Sequence, residues 1–210
     1  MKRAGVFVFG LMFVGLLGCQ PDSGVAPAEP VETAPVVESA EPEWTVLFDG
    51  SSIDGWNVTG DANWSLDETD ESVMADTGTG FLVTPDSYDN FELTLEFWVD
   101  EPANSGVFIR SQEPEAISAT NAYEVNIYDT RPDQTYRSGS IVNFAAPSEV
   151  INTGGQWNTF EIRADGMRLT VILNGVQTVD VEDSTYADGP IGLQYGEGIV
   201  KFRNVQIRPL

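Results

Sequence analysis

Histidine is absent from all 210 residues of the chain, and cysteine occurs once. Without imidazole there is no Ser-His triad, no His-ligated zinc and no histidine acid–base chemistry. A lone cysteine has no partner in its own chain for a disulfide. Cations are scarce as well: ten Lys and Arg stand against 33 Asp and Glu, for a formal net charge of −23. Such a field repels phosphates and anionic headgroups and argues against nucleic-acid binding. Long apolar runs are also missing, apart from residues 6–17, which are too short to span a bilayer as a helix. Any chemistry must therefore rest on carboxylates, amides, hydroxyls and a few guanidinium groups.

The first apolar run has a different reading. Lys2 and Arg3 precede it, and Leu16-Leu17-Gly18-Cys19 follows it, the order of a signal peptide ending in what resembles a lipobox. Residues 1–18 are then the signal peptide, and Cys19 is the lipidated residue that holds the protein to a membrane. Cleavage would remove Lys2 and Arg3 and leave a net charge of −25. Two acyl chains exceed the marginal affinity of one, so the attachment is expected to last. Gln20, rather than Asp, after the cysteine favours the outer membrane, facing the periplasm or the exterior. Residues 19–43 are rich in Pro, Ala, Glu, Val and Ser without an aromatic residue, a composition that reads as a flexible tether.

Residues 44–210 are long enough for one well-packed domain. Apolar and polar residues alternate there in short runs separated by Gly, Asp, Asn and Pro, the pattern of strands. Over residues 91–99, Leu93, Leu95, Phe97 and Val99 share one face, with Thr94, Glu96 and Trp98 on the other. Continued alternation over residues 106–110 turns Val107 and Ile109 inward and Phe108 and Arg110 outward. Over residues 123–129 it turns Val125 and Ile127 inward and Glu124, Asn126 and Tyr128 outward. Residues 157–163 and 168–173 read as a hairpin, and Asn174-Gly175 as a two-residue turn into residues 176–181. Residues 191–195 and 200–208 complete the pattern. Residues 131–150 read as a long loop with a short strand near residues 140–144, and Asn104-Ser105-Gly106 as a turn. So many short strands predict an all-β sandwich of two antiparallel sheets. Trp44, Trp56, Trp64 and Trp157 are expected to anchor core or loops, and Trp98 to stay available for a ligand.

The same residues resemble the bacterial 3-keto-disaccharide hydrolase domain family. The resemblance rests on Leu47-Phe48-Asp49-Gly50, Asp54-Gly55-Trp56, Asn90-Phe91-Glu92-Leu93, Asn104-Ser105-Gly106-Val107-Phe108-Ile109-Arg110 and Tyr123-Glu124-Val125-Asn126-Ile127. It continues through Leu173-Asn174-Gly175, Gly189-Pro190-Ile191-Gly192-Leu193-Gln194 and Phe202-Arg203-Asn204. It implies a concanavalin-like jelly-roll β-sandwich and chemistry on glycosides that a separate oxidoreductase has converted to a ketone at carbon 3. That ketone acidifies the proton on carbon 2, so a base can start an elimination that expels the glycosidic oxygen, and water then adds back. The chain departs from the family in reading Tyr195-Gly196-Glu197-Gly198 where many members carry a His after Gly-Leu-Gln.

A base, an electrophile for the enolate oxygen and an acid for the leaving group are required. Glu96, Arg110 and Glu124 are the expected catalytic set, as outward residues of three strands taken to be neighbours. Asn126, Gln194 and Tyr195 are expected at sugar hydroxyls, and Trp98, Phe108 and Tyr128 against the sugar ring. Asp49, Asp54 and Asp61 are compatible with a structural calcium, yet they lack a regular ligand spacing, so no metal and no cofactor is assigned. The expected partners are a carbohydrate or modified glycoside and the membrane reached through Cys19. The competing reading is a carbohydrate-binding or cell-envelope interaction module that kept the fold without the chemistry, with charges that form a structural ion network.

Overall fold

The computed structural model describes residues 42–210. The expected signal peptide, Cys19 and all but the last two residues of the tether lie outside the described residues. Thirteen strands follow one another: β1 (Thr45–Phe48), β2 (Asn57–Gly60), β3 (Trp64–Asp67), β4 (Ser72–Ala75), β5 (Gly80–Val83), β6 (Phe91–Val99) and β7 (Asn104–Ile109). After these come β8 (Tyr123–Ile127), β9 (Trp157–Asp165), β10 (Arg168–Leu173), β11 (Val176–Glu182), β12 (Gly192–Glu197) and β13 (Val200–Pro209). The strand pairs are antiparallel.

Two sheets result, as the alternation predicts. The large one runs β11-β10-β9-β6-β13-β4-β3, with β1 also on β13. The small one runs β2-β5-β12-β7-β8. Between them lies the core. From β6 it takes Leu93, Leu95, Phe97 and Val99, each of which contributes roughly 1.5–3 kcal/mol by leaving water. Phe97 meets Phe160 of β9 at 4.8 Å between ring centroids. The small sheet answers with Leu82, Val107, Ile109, Tyr123, Val125, Leu193 and Tyr195. Trp56 is buried and donates its indole N–H to Leu47 O at 3.1 Å, which is the anchoring role expected of it.

Local chemistry explains the connections. Asn174 and Gly175 both take positive φ, 51° and 80°, the backbone that a two-residue hairpin turn needs, and β10 and β11 leave it paired. Asn204 at φ 52° interrupts the register of β13 between Arg203 and Gln206. The kink lets one edge of β13 serve two partners, β4 over Val200–Phe202 and β1 around Val205–Ile207.

Two local readings change. Asn104-Ser105-Gly106 is the start of β7, not a turn, and Ser105 Oγ donates to Gln194 O at 2.7 Å. No strand forms over residues 140–144. Ile141 makes only isolated bridges, to Val125 and Ala145. Residues 131–136 include a 3-10 turn, Gln134–Tyr136, capped by Asp133, whose carboxylate accepts from Thr135 N.

Candidate active site

The expected trio of Glu96, Arg110 and Glu124 does not assemble. Glu96 stands on β6 in the large sheet, whose neighbours are β9 and β13, whereas β7 and β8 belong to the small sheet. Alternation along a strand separates its two faces but carries no information about which strand lies beside it. Opposite Glu96 is Arg203, whose Nε donates at 2.7 Å, and Asn204 Nδ2 donates at 3.0 Å. Arg203 also lies 3.9 Å over the Trp157 ring. Trp98, on the same outer face, carries Lys201 Nζ at 5.9 Å from its centroid, and that ammonium pairs with Asp67 at 2.7 Å and Asp70 at 2.5 Å. This face is a self-satisfied ladder of acids, cations and indoles. Glu96→Gln and Trp98→Ala are therefore expected to leave glycoside turnover and binding within about twofold of wild type. The cost to stability of Glu96→Gln is expected below about 1 kcal/mol by denaturant titration.

Arg110 is not on a sheet face at all. β7 ends at Ile109, and Arg110 takes φ 53°, a left-handed turn that breaks the alternation and carries the side chain under the end of the sheet. There it is buried and donates to three backbone carbonyls. Nε and Nη2 reach Asp89 O at 3.0 and 2.5 Å, and Nη1 reaches Gly166 O at 2.9 Å and Tyr186 O at 3.2 Å. One guanidinium thus ties three loops together. Tyr195 and Phe108 are also corrected. Tyr195 points into the core, edge-on to Trp64, with its hydroxyl donating to Gly198 O at 2.9 Å. Phe108 is 1% exposed and packs against Phe81, 5.2 Å between centroids, under Ile117 in a small second cluster with Val83 and Ala122.

What remains gathers on the outer face of the small sheet. Register places Asn126, Gly106, Gln194, Phe81 and Thr59 side by side across five strands, and Glu124, Phe108, Gly192, Val83 and Asn57 in the next row. A cleft of about 380 Å³ opens over the β2, β5 and β12 members of the first row, within the range of small-ligand sites. Thr59, Phe81, Asn104, Gln194 and Gly196 line it, with Glu115, Ala116 and Ile117 of the β7–β8 connection as one wall. Gly196 is where the departure from the family pattern falls on this face. It presents no side chain, and a Cβ there would sit 2.9 Å from Asn104 O. Gly192 allows a close approach from above, since a Cβ would meet the tip of Ile117 at 2.9 Å.

Polar groups on this face are left open. Asn126 Nδ2 donates to Tyr136 O at 2.5 Å, which turns its Oδ1 away, and that oxygen is buried without a partner. Gln194 Oε1 is buried and unpartnered too. Both can accept, so both call for donors such as hydroxyl groups. Glu124 lies beside them, only 7% exposed. Desolvation pushes its carboxyl up from 4.5 to about 7, with Arg131 opposing the rise. Tyr128 is half-buried just beyond Asn126. Ile117, which sequence reasoning passed over, and Asn104, read there as part of a turn, line the cleft, and the charge of Arg131, also passed over, reaches Glu124. Arg131 and Ile117 sit in loops without strand alternation, so no periodicity marks them.

A groove of about 350 Å³ on the large sheet's outer face is less eligible. It is lined by Trp44, Glu92, Arg163 and Arg208 among others. Burial alone raises the Glu92 carboxyl, but hydrogen bonds from Arg208 and Arg163 outweigh it and hold the group below its ordinary value. Its charges are already spent on one another.

The two-sheet jelly roll is the fold of a domain whose family points to glycoside processing or carbohydrate binding. The chain belongs to the family of 3-keto-alpha-glucoside-1,2-lyase-like domains, whose sequence pattern matches residues 43–208. No curated protein matches it. Among solved structures it is similar to a Parabacteroides distasonis protein provisionally classed as a glycosyl hydrolase, with a TM-score of 0.69 and 19% identity over 80% of this chain and 94% of that one. A second protein from that organism, classed likewise, gives 0.66 and 25% over 80% and 100%. The carbohydrate binding module CBM66 from Bacillus subtilis gives 0.57 and 17% over 73% and 95%, a likeness of fold.

Proposed function

We propose that the domain cleaves 3-keto-glycosides by elimination followed by hydration, with Glu124 as both base and acid. The observation that carries this is a buried carboxyl with a pKa of about 7, beside unpartnered acceptors, on one face of a 3-keto-glucoside lyase-like fold. The Glu124 carboxylate takes the proton from carbon 2. The C–H electron pair forms a double bond to carbon 3, and the carbonyl pair moves onto oxygen as an enolate. Collapse of the enolate restores the ketone, moves the double-bond pair to form a bond between carbons 1 and 2, and breaks the bond from carbon 1 to the glycosidic oxygen, which leaves with its electron pair. That oxygen takes the proton back from Glu124 and leaves as an alcohol. Water then adds across the bond between carbons 1 and 2, so the net change is hydrolysis. A group titrating near neutrality is suited to both transfers, which answers the absence of histidine. Asn126 Oδ1 and Gln194 Oε1 accept from sugar hydroxyls, and Phe81 offers an apolar surface at the cleft. A separate oxidoreductase supplies the ketone.

The protein is to be incubated with 3-keto-trehalose or a 3-keto-glucoside, and 3-keto-glucose and the released alcohol measured. Turnover whose kcat/KM rises with pH through about 7 is expected, because the base must be ionised. Binding of the parent glycan without turnover would instead establish the carbohydrate-binding module.

Membrane attachment through Cys19 belongs to the same proposal and is supported by the residues around the cysteine. Cys19→Ser is expected to move the protein from the membrane fraction to the soluble fraction and to abolish incorporation of labelled palmitate. An unchanged distribution would reject the anchor.

A further inference from the structure

We propose that Asn104 and Gln194 form the subsite for the leaving group, and that this subsite admits an uncharged sugar unit. The inference rests on the elimination reading given above and deepens it by naming what the cleft holds.

The strands bring the two amides to one place. Asn104 opens β7 and alternates with buried Ser105, so it shares the outer face with Gly106 and Phe108. Gln194 pairs with Gly106, and the register slips between Tyr195 and Glu197, which leaves Gly196 beside Asn104. The contact is close, since a Cβ on Gly196 would stand 3.1 Å from Asn104 Nδ2 and 3.3 Å from its Cγ. The Asn104 amide thus lies against the backbone of Gly196, where another residue would put a side chain. Both Asn104 and Gln194 line the cleft. Neither side chain has a hydrogen-bond partner among the described residues, and Gln194 Oε1 is buried in that state. Other amides of the domain are spent inside it: Asn121 Nδ2 on Ala116 O, Asn126 Nδ2 on Tyr136 O and Asn158 Nδ2 on Thr153 O.

The reacting carboxyl approaches the same ground. A Cβ on Gly106 would stand 3.3 Å from Glu124 Cγ, so the Glu124 side chain leans from β8 across β7, toward Gln194 on the next strand. A sugar whose carbon 2 meets Glu124 therefore lies over Gly106. Two directions away from it are closed. Ile117 covers the row of Phe108 and Gly192, and the segment of Tyr136 closes the β8 edge at Asn126. The bond to the leaving group points over Gln194 and Gly196, toward Phe81 and Thr59.

The lining selects the chemistry of what lies there. A sugar hydroxyl both accepts and donates. One that accepts from Asn104 Nδ2 and donates to Gln194 Oε1 satisfies both amides at once, while Phe81 meets the C–H face of the ring. Thr59 and Thr79 add hydroxyl groups on the β2 and β5 side, and Gly60, Gly80 and Gly196 present backbone alone. Among the described residues that line the cleft, Glu115 is the one with a charge. A uronate or a phosphorylated sugar would meet that carboxylate with no cation in the lining to answer it.

The test uses the whole protein and two substrates with different leaving groups. These are 3-keto-trehalose, which releases glucose, and methyl 3-keto-α-glucoside, which releases methanol. Asn104→Ala is expected to lower kcat/KM for 3-keto-trehalose about tenfold, through KM, and to leave the methyl glucoside within twofold of wild type. Asn104→Asp, which keeps the size but removes the donor, is expected to repeat this pattern, and both variants to keep the wild-type circular dichroism spectrum. Independently of turnover, the side-chain amide signals of Asn104 and Gln194 in nitrogen-15 NMR are expected to shift on titration with trehalose and not with glucuronate. Equal losses on both substrates, or losses on neither, would overturn the leaving-group subsite and leave the elimination reading standing. No turnover of either substrate by the folded wild-type protein, with the amide shifts present, would overturn the elimination reading and keep the amide pair as a sugar site. Absence of the shifts as well would overturn both. A shift with glucuronate as large as with trehalose would overturn the selection of uncharged sugars.

Discussion

Glu124→Gln is expected to abolish turnover of 3-keto-glycosides and, above neutral pH, to make the protein more stable. Loss of the proton acceptor is expected to lower kcat by about 10²- to 10⁴-fold, with sugar binding retained because Gln keeps the volume of the side chain. The effect on stability follows from linkage. The carboxyl titrates near 4.5 when unfolded and at about 7 when folded, so between those values the folded state holds more protons than the unfolded one. Stability therefore falls as pH rises through this window and stays reduced above it. At pH 8 the ionised, buried Glu124 costs the fold up to roughly 3 kcal/mol, and Gln removes that cost. Below about pH 4 both states of the wild type are protonated, and the two proteins are expected to match. Chemical denaturation of both at pH 4 and pH 8 checks this. Equal stability at both values would mean that Glu124 is not held neutral by its surroundings. A variant that gains stability as it loses activity is what a strained catalytic group produces and a structural ion pair does not.

The second large effect concerns Arg110, and it falls on stability alone. Arg110→Met keeps much of the side-chain volume but leaves the carbonyls of Asp89, Gly166 and Tyr186 without their donor. Each lost bond to a charged donor is worth on the order of 1.5–3 kcal/mol, and non-additivity brings the expected total to about 3–5 kcal/mol. The three carbonyls belong to the β5–β6 connection, the β9–β10 turn and the β11–β12 connection, so the loss is spread across loops from both sheets. Urea unfolding is expected to show a lower midpoint, and activity per folded molecule is expected to change little. Arg110→Lys is expected to rescue only part of the loss, since one ammonium cannot span the same fork. A variant of wild-type stability but reduced turnover would return Arg110 to the active site.

Much of this fold is readable from one strand at a time. The alternation of Leu93, Leu95, Phe97 and Val99 with Thr94, Glu96 and Trp98 marks the buried face of β6, and the structure buries that face. Asn174-Gly175 marks a hairpin because both residues tolerate the positive φ that it needs. The outward set on β8, Glu124 with Asn126, is legible in the same way, and so is Gln194 on β12. Arg110 and Tyr195 were not legible for two local reasons. A left-handed residue ends the alternation of β7 one position earlier than the pattern extends it. The outward residue next to Gln194 is Gly196, so Tyr195 turns into the core.

What the sequence determined by itself, then, is the two-faced strands, their turns and the membership of the family, because these depend on periods and residues within a few positions of each other. Tertiary structure decided which faces meet. It put Glu96 on one sheet and Glu124 on the other, since strand order is set by long-range pairing that no single strand encodes. It also decided the chemistry of Glu124. A carboxylate on a strand is ordinary until the connections after β7 and β8 close over it, and the loss of water then moves its proton into the neutral range against the opposing charge of Arg131.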